Sequence, residues 1–169
     1  MRWVLLLRAV NVGGNNTLPM KDLKALLEDL GHEDVRTYLN SGNATFTSSR
    51  GSAAELATEV EQALRERLGL GVRVCVRTDD EIRKALDELP ELAGYVTVSV
   101  LFDRPSAAAL QALLATPWPT ETVLGNDQVL YIGYEDGMRK TKLTNGVLEK
   151  ALGVSCTART PATLRKLLG

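Results

Sequence analysis

The chain has 169 residues, 44% hydrophobic and 24% charged, with 20 Lys and Arg against 21 Asp and Glu. That profile fits a globular chain with one or two small domains and excludes a disordered, collagenous or disulfide-built polypeptide. A net charge of −1 and a single histidine remove the simplest case for a uniformly basic nucleic-acid binder and any chemistry needing two imidazoles.

Cys75 and Cys156 are far apart and form no C-x-x-C unit, so reduced thiols and a cytoplasmic location are expected. The apolar run after Met1 is broken at Arg8, short of a signal-peptide core, and nothing approaches the roughly 20 apolar residues of a membrane span.

Residues 3–8 read as a strand, followed by the loop Asn11-Val12-Gly13-Gly14-Asn15-Asn16. Met20, Leu23, Leu26, Leu27 and Leu30 mark a helix, with Thr17 or Asn16 as its cap and Gly31 as its end. Residues 35–40 alternate as a strand, and Ser41-Gly42 turns them into a second strand over 43–48. Ser52 and Glu55 form a capping box opening a helix to Leu68, and residues 72–77 alternate again. Thr78 and Glu81 form another capping box, so Asp79-Asp80-Glu81 reads as a solvated helix start. The polar stretch 91–94 is the expected boundary. Beyond it come a strand (95–102), a helix from Pro105 to Ala115, the Pro117-Trp118-Pro119 loop and two strands around Gly125-Asn126. A helix over 141–152, closed by Gly153, and a last helix over 161–168 capped by Thr160 complete the chain. The expected fold is α+β: a ferredoxin-like α/β plait over 1–90, then a second plait-like unit over 95–169, read as βαββα plus a C-terminal helix.

In a plait the loop after the first strand and the hairpin between the second and third lie at one end of the sheet. Asn11, Gly13 and Gly14 should therefore neighbour Ser41, Gly42 and Asn43, with Arg8 adding a positive charge and a helix N-terminus close by. The same residues also serve tight turns, because Gly and Asn tolerate positive φ.

Charge is uneven along the chain. Residues 139–169 hold seven basic residues and one acid, a net +6, which leaves −7 on residues 1–138. Lys142, in the first turn of the expected helix, would be unfavourable without an anion nearby, so Thr141, Lys142, Arg159 and Thr160 form a second candidate anion cluster. Arg165 and Lys166 suit the end of the last helix.

Four stretches carry a resemblance: Arg8-Ala9-Val10-Asn11-Val12-Gly13-Gly14, Tyr38-Leu39-Asn40-Ser41-Gly42-Asn43, Lys142-Leu143 with Leu152-Gly153, and Thr157-Ala158-Arg159. In this order they resemble the bacterial domain-of-unknown-function family 1697. The resemblance implies a cytosolic α+β protein with plait-like units and no particular activity. Relatives usually have Gly at the place of Ala9 and Gln at that of Asn40. Their Arg-Asn-Trp-Asn-Thr stretch stands here as Arg159-Thr160-Pro161-Ala162-Thr163, so a ligand stacked on that Trp would have no counterpart here, and Thr160-Pro161 reads instead as a helix start.

Cys75 lies between Arg73 and Arg77 on one strand face, a setting that can activate a thiol but more often holds a packing cysteine. His32 reads as an exposed loop residue, and Trp118 as a wedge at a domain interface or a stacking surface. Three functions compete: a binding module for a small anionic or phosphorylated ligand, a single-strand nucleic-acid reader on the first sheet, and an enzyme. The reader lacks stacking aromatics, with Tyr38 alone and on an outer strand. No nucleophile–base pair, carboxylate pair or metal set marks an enzyme, and no cofactor is indicated.

Overall fold

A computed structural model describes residues 1–169. They form two units, Met1–Lys84 with Arg165–Gly169, and Ala85–Leu164.

The first unit holds β1 (Arg2–Leu7), α1 (Met20–Asp29), β2 (Glu33–Thr37), β3 (Asn43–Thr47), α2 (Ala53–Leu68) and β4 (Val74–Thr78). α3 (Asp79–Asp87) follows. The second unit continues with β5 (Tyr95–Leu101), α4 (Ala107–Ala115), β6 (Glu121–Gly125), β7 (Val129–Tyr134), α5 (Asn145–Leu152) and β8 (Cys156–Arg159). α6 (Pro161–Leu168) ends the chain. No helix is long and apolar enough to cross a membrane.

The sheets have orders β2-β3-β1-β4 and β6-β7-β5-β8, so both units are ferredoxin-like plaits with the first strand beside the third. In the first, β1 pairs antiparallel with β3, Leu6 opposite Asn43, and with β4, Leu6 opposite Cys75. Leu5, Leu7 and Phe46 meet Leu23, Leu27, Val60 and Leu64 of the helices in one apolar core. The second core gathers Leu101, Leu130, Ile132, Leu148 and Leu152.

Sequence signals and structure agree where capping is explicit. Ser52 and Glu55 exchange both bonds of a capping box, and Gly69 closes α2 in the left-handed conformation. Thr78 and Glu81 do the same: the Thr78 N–H donates to Glu81 Oε2 (2.7 Å) and the Glu81 N–H to Thr78 Oγ1 (3.1 Å). The Thr163 N–H donates to Thr160 Oγ1 (3.2 Å), so Thr160 starts α6 as expected.

Four local expectations are corrected. α1 begins after Pro19 with no side-chain cap, and the Asn16 amide donates instead to Ala9 O (3.2 Å). Pro105 precedes α4, whose cap is Ser106. β2 ends at Thr37, because Leu39 turns to φ +61 and residues 38–42 form a wider loop than Ser41-Gly42 alone. Residues 156–159 form a strand absent from the sequence reading, which completes the second plait as βαββαβ. β8 is four residues long, too short and too polar for its alternation to stand out.

Candidate functional site

The two Asn/Gly segments of the first unit do meet. The Leu7 N–H donates to Gly42 O (2.8 Å), carrying the sheet's pairing past its last strand residue. Asn11 then staples the loops: its Nδ2 donates to Asn40 O (2.6 Å) and Leu18 O (2.9 Å), while its Oδ1 accepts from the Leu18 N–H (2.8 Å). Asn43 is fully buried, and its Nδ2 donates to Tyr38 O and Ser41 Oγ, both at 2.8 Å. Both asparagine side chains thus build the rim from within.

What remains outward is backbone and a few side chains. Val12 to Asn15 close a two-residue turn, with the Asn15 N–H on Val12 O (3.0 Å) and Gly13 and Gly14 at φ +59 and +77. Positive φ at both centres is the type I′ geometry that Gly-Gly favours. The Gly13 and Gly14 N–H groups donate to no protein acceptor, and a Cβ at either position would meet open space. Ser41 is exposed, and Arg8 is half-buried at the end of β1 with its N–H on Arg73 O (3.0 Å). Residues 17–19 separate the turn from α1, so it does not feed that helix directly.

The backbone here is unusually left-handed. Ala9, Asn11, Asn16 and Leu39 have φ of 49 to 61°, in a chain with only one other such non-glycine residue, Asp34. For Ala and Leu that region costs about 1 kcal/mol or more, and such costs concentrate at functional sites. Gly42, at φ +86, is required for a second reason as well. A Cβ there would lie 2.6 Å from Val10 Cγ2 and 2.7 Å from Leu7 Cβ.

The second unit repeats this end of the plait in reduced form. There the Leu101 N–H donates to Gln128 O (2.9 Å), and Arg104 Nη1 meets Asp127 Oδ2 (3.1 Å) across the same two loops. Five residues, 102–106, join β5 to α4, where twelve, 8–19, join β1 to α1.

The cluster expected around Lys142 does not assemble. α5 starts at Asn145, capped by Thr144, whose Oγ1 accepts from the Val147 N–H (3.3 Å). Lys142 therefore lies outside the first helical turn, and the dipole argument for an anion there lapses. Thr141 Oγ1 donates to Glu121 Oε1 (2.6 Å), fixing this loop beside β6. Arg159 is buried on β8, with Nη1 donating to Thr157 Oγ1 (2.6 Å) and Ala158 O (2.9 Å). β6 and β8 are opposite edges of the sheet, so Lys142 and Arg159 belong to different sides of the unit, while Thr160 caps α6.

His32 is not exposed but buried, its ring 4.4 Å from that of Phe46. Nε2 lies 3.2 Å from Glu59 Oε2 without hydrogen-bond alignment, so neither ring nitrogen is satisfied. Burial pushes its pKa below the ordinary 6.5, against the raising pull of Glu59. The signal missed was that His32 directly follows the helix end, where the chain turns back toward the core. Cys75 and Cys156 are free and buried. On the sheet face carrying Cys75, Val4, Leu6 and Thr45 are buried as well.

The family model described as a protein of unknown function, DUF1697, matches residues 1–131, a stretch that contains the whole stapled rim. The chain belongs to the DUF1697 family. No functionally curated protein matches it. Among solved structures, the conserved bacterial protein SP0830 from Streptococcus pneumoniae is similar in fold, with a TM-score of 0.69 at 22% identity over 99% of this chain and 96% of that one.

Proposed function

We propose that this DUF1697 protein is a cytoplasmic binding module for a small anionic or phosphorylated molecule, seated on the rim of residues 8–16 and 38–43. The observation that carries the reading is internal. The same plait connection is made with five residues in the second unit and twelve in the first. The additional residues are not needed to close the fold. They are held in a costly left-handed backbone and include two N–H groups with no protein acceptor, on the loop that Arg8 begins. Backbone donors at a turn, with an arginine on the same loop, suit a compact anion.

A thermal-shift series with inorganic phosphate, AMP, glucose 6-phosphate and citrate tests it. A ligand at 100-fold over its Kd stabilises by about 2.7 kcal/mol, a shift of several degrees for a chain of this size. The expected result is a rise with at least one of these that Arg8→Ala removes. No rise with any of them, or a rise unchanged in Arg8→Ala, overturns the reading.

A further inference from the structure

In the second unit, Pro117, Trp118 and Pro119 line a pocket of about 350 Å³ together with Glu121, Lys140 and Lys142. That volume lies in the range of small-molecule sites. Three observations shape its chemistry. Trp118 packs against the unit's core and is only partly buried, so part of its ring borders the pocket. Its Nε1–H is buried with no acceptor, uncommon in a protein interior. Lys140 and Lys142 form no ion pair, although both are exposed and close in sequence.

The loop that carries the lysines is fixed. Leu143 is fully buried and Thr141 donates to Glu121, so inward anchors alternate with the outward Lys140 and Lys142. Glu121 accepts from Thr141 and from the hydroxyl and N–H of Thr120 (3.1 and 3.3 Å). With this carboxylate counted, the pocket keeps a net charge of +1. An apolar wall thus shares the pocket with two unpaired lysines carried on an anchored loop.

We propose that this pocket is a second binding site, distinct from the rim, for a small organic anion: a flat apolar ring seated on Trp118 and its flanking prolines, with a phosphate monoester or carboxylate group met by Lys140 and Lys142. The ring supplies the contact area and the lysines select for charge. Glu121 acts as a positioning residue, through Thr141.

The test is calorimetric titration of the full chain with phenyl phosphate, benzoate, inorganic phosphate and benzyl alcohol. At least one aromatic anion binds, at least about tenfold more tightly than inorganic phosphate or the neutral alcohol. Which of the two binds better separates phosphate from carboxylate recognition. Lys140→Ala and Lys142→Ala each weaken binding by about fivefold or more, and added salt weakens it further. Trp118→Leu weakens it as well, and all titrations are run in an Arg8→Ala background, which silences the rim and separates this site from it. In a Trp3→Phe background, fluorescence then reports Trp118 alone, since the chain has two tryptophans. No binding of either aromatic anion up to about 10 mM, equal binding of benzyl alcohol, or affinity indifferent to both lysine substitutions overturns the proposal.

Discussion

Asn11 holds two backbone segments 29 residues apart through one amide. Asn11→Ala removes three hydrogen bonds and leaves a non-glycine residue at φ +55, so it should cost about 2–3 kcal/mol in urea unfolding. His32 sets a pH dependence. Its folded pKa is lowered from 6.5, so below that value the unfolded chain binds more protons than the folded one. The contribution is therefore complete above about pH 6.5 and is lost as pH falls from there toward the lowered value. His32→Phe should flatten that part of the stability profile, as read by unfolding at a series of pH values. Ser99 makes the opposite case: its hydroxyl is buried without a partner, so Ser99→Ala should be neutral or stabilising by up to about 1 kcal/mol. None of this is visible in sequence. Asn11 reads as a turn former whatever it bonds to, and His32 shows its burial only once Phe46 lies beside it.

Elements were legible in proportion to how local their signals are. Both capping boxes could be read because two side chains three residues apart decide them, and the stripe of Leu23, Leu26 and Leu27 placed α1 for the same reason. The start of α5 was misplaced because Thr141 and Thr144 are both plausible caps. Only the Glu121 carboxylate on β6, which takes the Thr141 hydroxyl, distinguishes them. Thr144→Ala should therefore cost about 1 kcal/mol, measured by thermal unfolding. β8 went unread because its pairing with β5 is long-range, and its buried members include Thr157 and Arg159.

At the scale of the molecule, strand order alone brings residues 11–16 to 41–43, and the Leu7–Gly42 and Asn11–Asn40 bonds show that meeting. The excess of positive charge near the C-terminus is divided: Lys150 ends α5, Arg165 and Lys166 end α6, Arg159 is buried in a sheet, and Lys140 and Lys142 border the Trp118 pocket. The chain carries its scaffold twice, and the copies act as controls for each other. Gln128 gives its carbonyl to Leu101 just as Gly42 does to Leu7, so the plait itself does not demand glycine at that place. Val10, brought in by the longer connection, is among the atoms that would collide with a side chain there. Positions 10 and 42 are thus coupled: trimming Val10 to Ala should soften the damage of Gly42→Ala, and the pair should show a sub-additive cost in a double-mutant cycle. The two sites share an epistatic link imposed by the insertion and absent from its shorter twin, a partial one because Leu7 Cβ and a φ of +86° still oppose a side chain at 42.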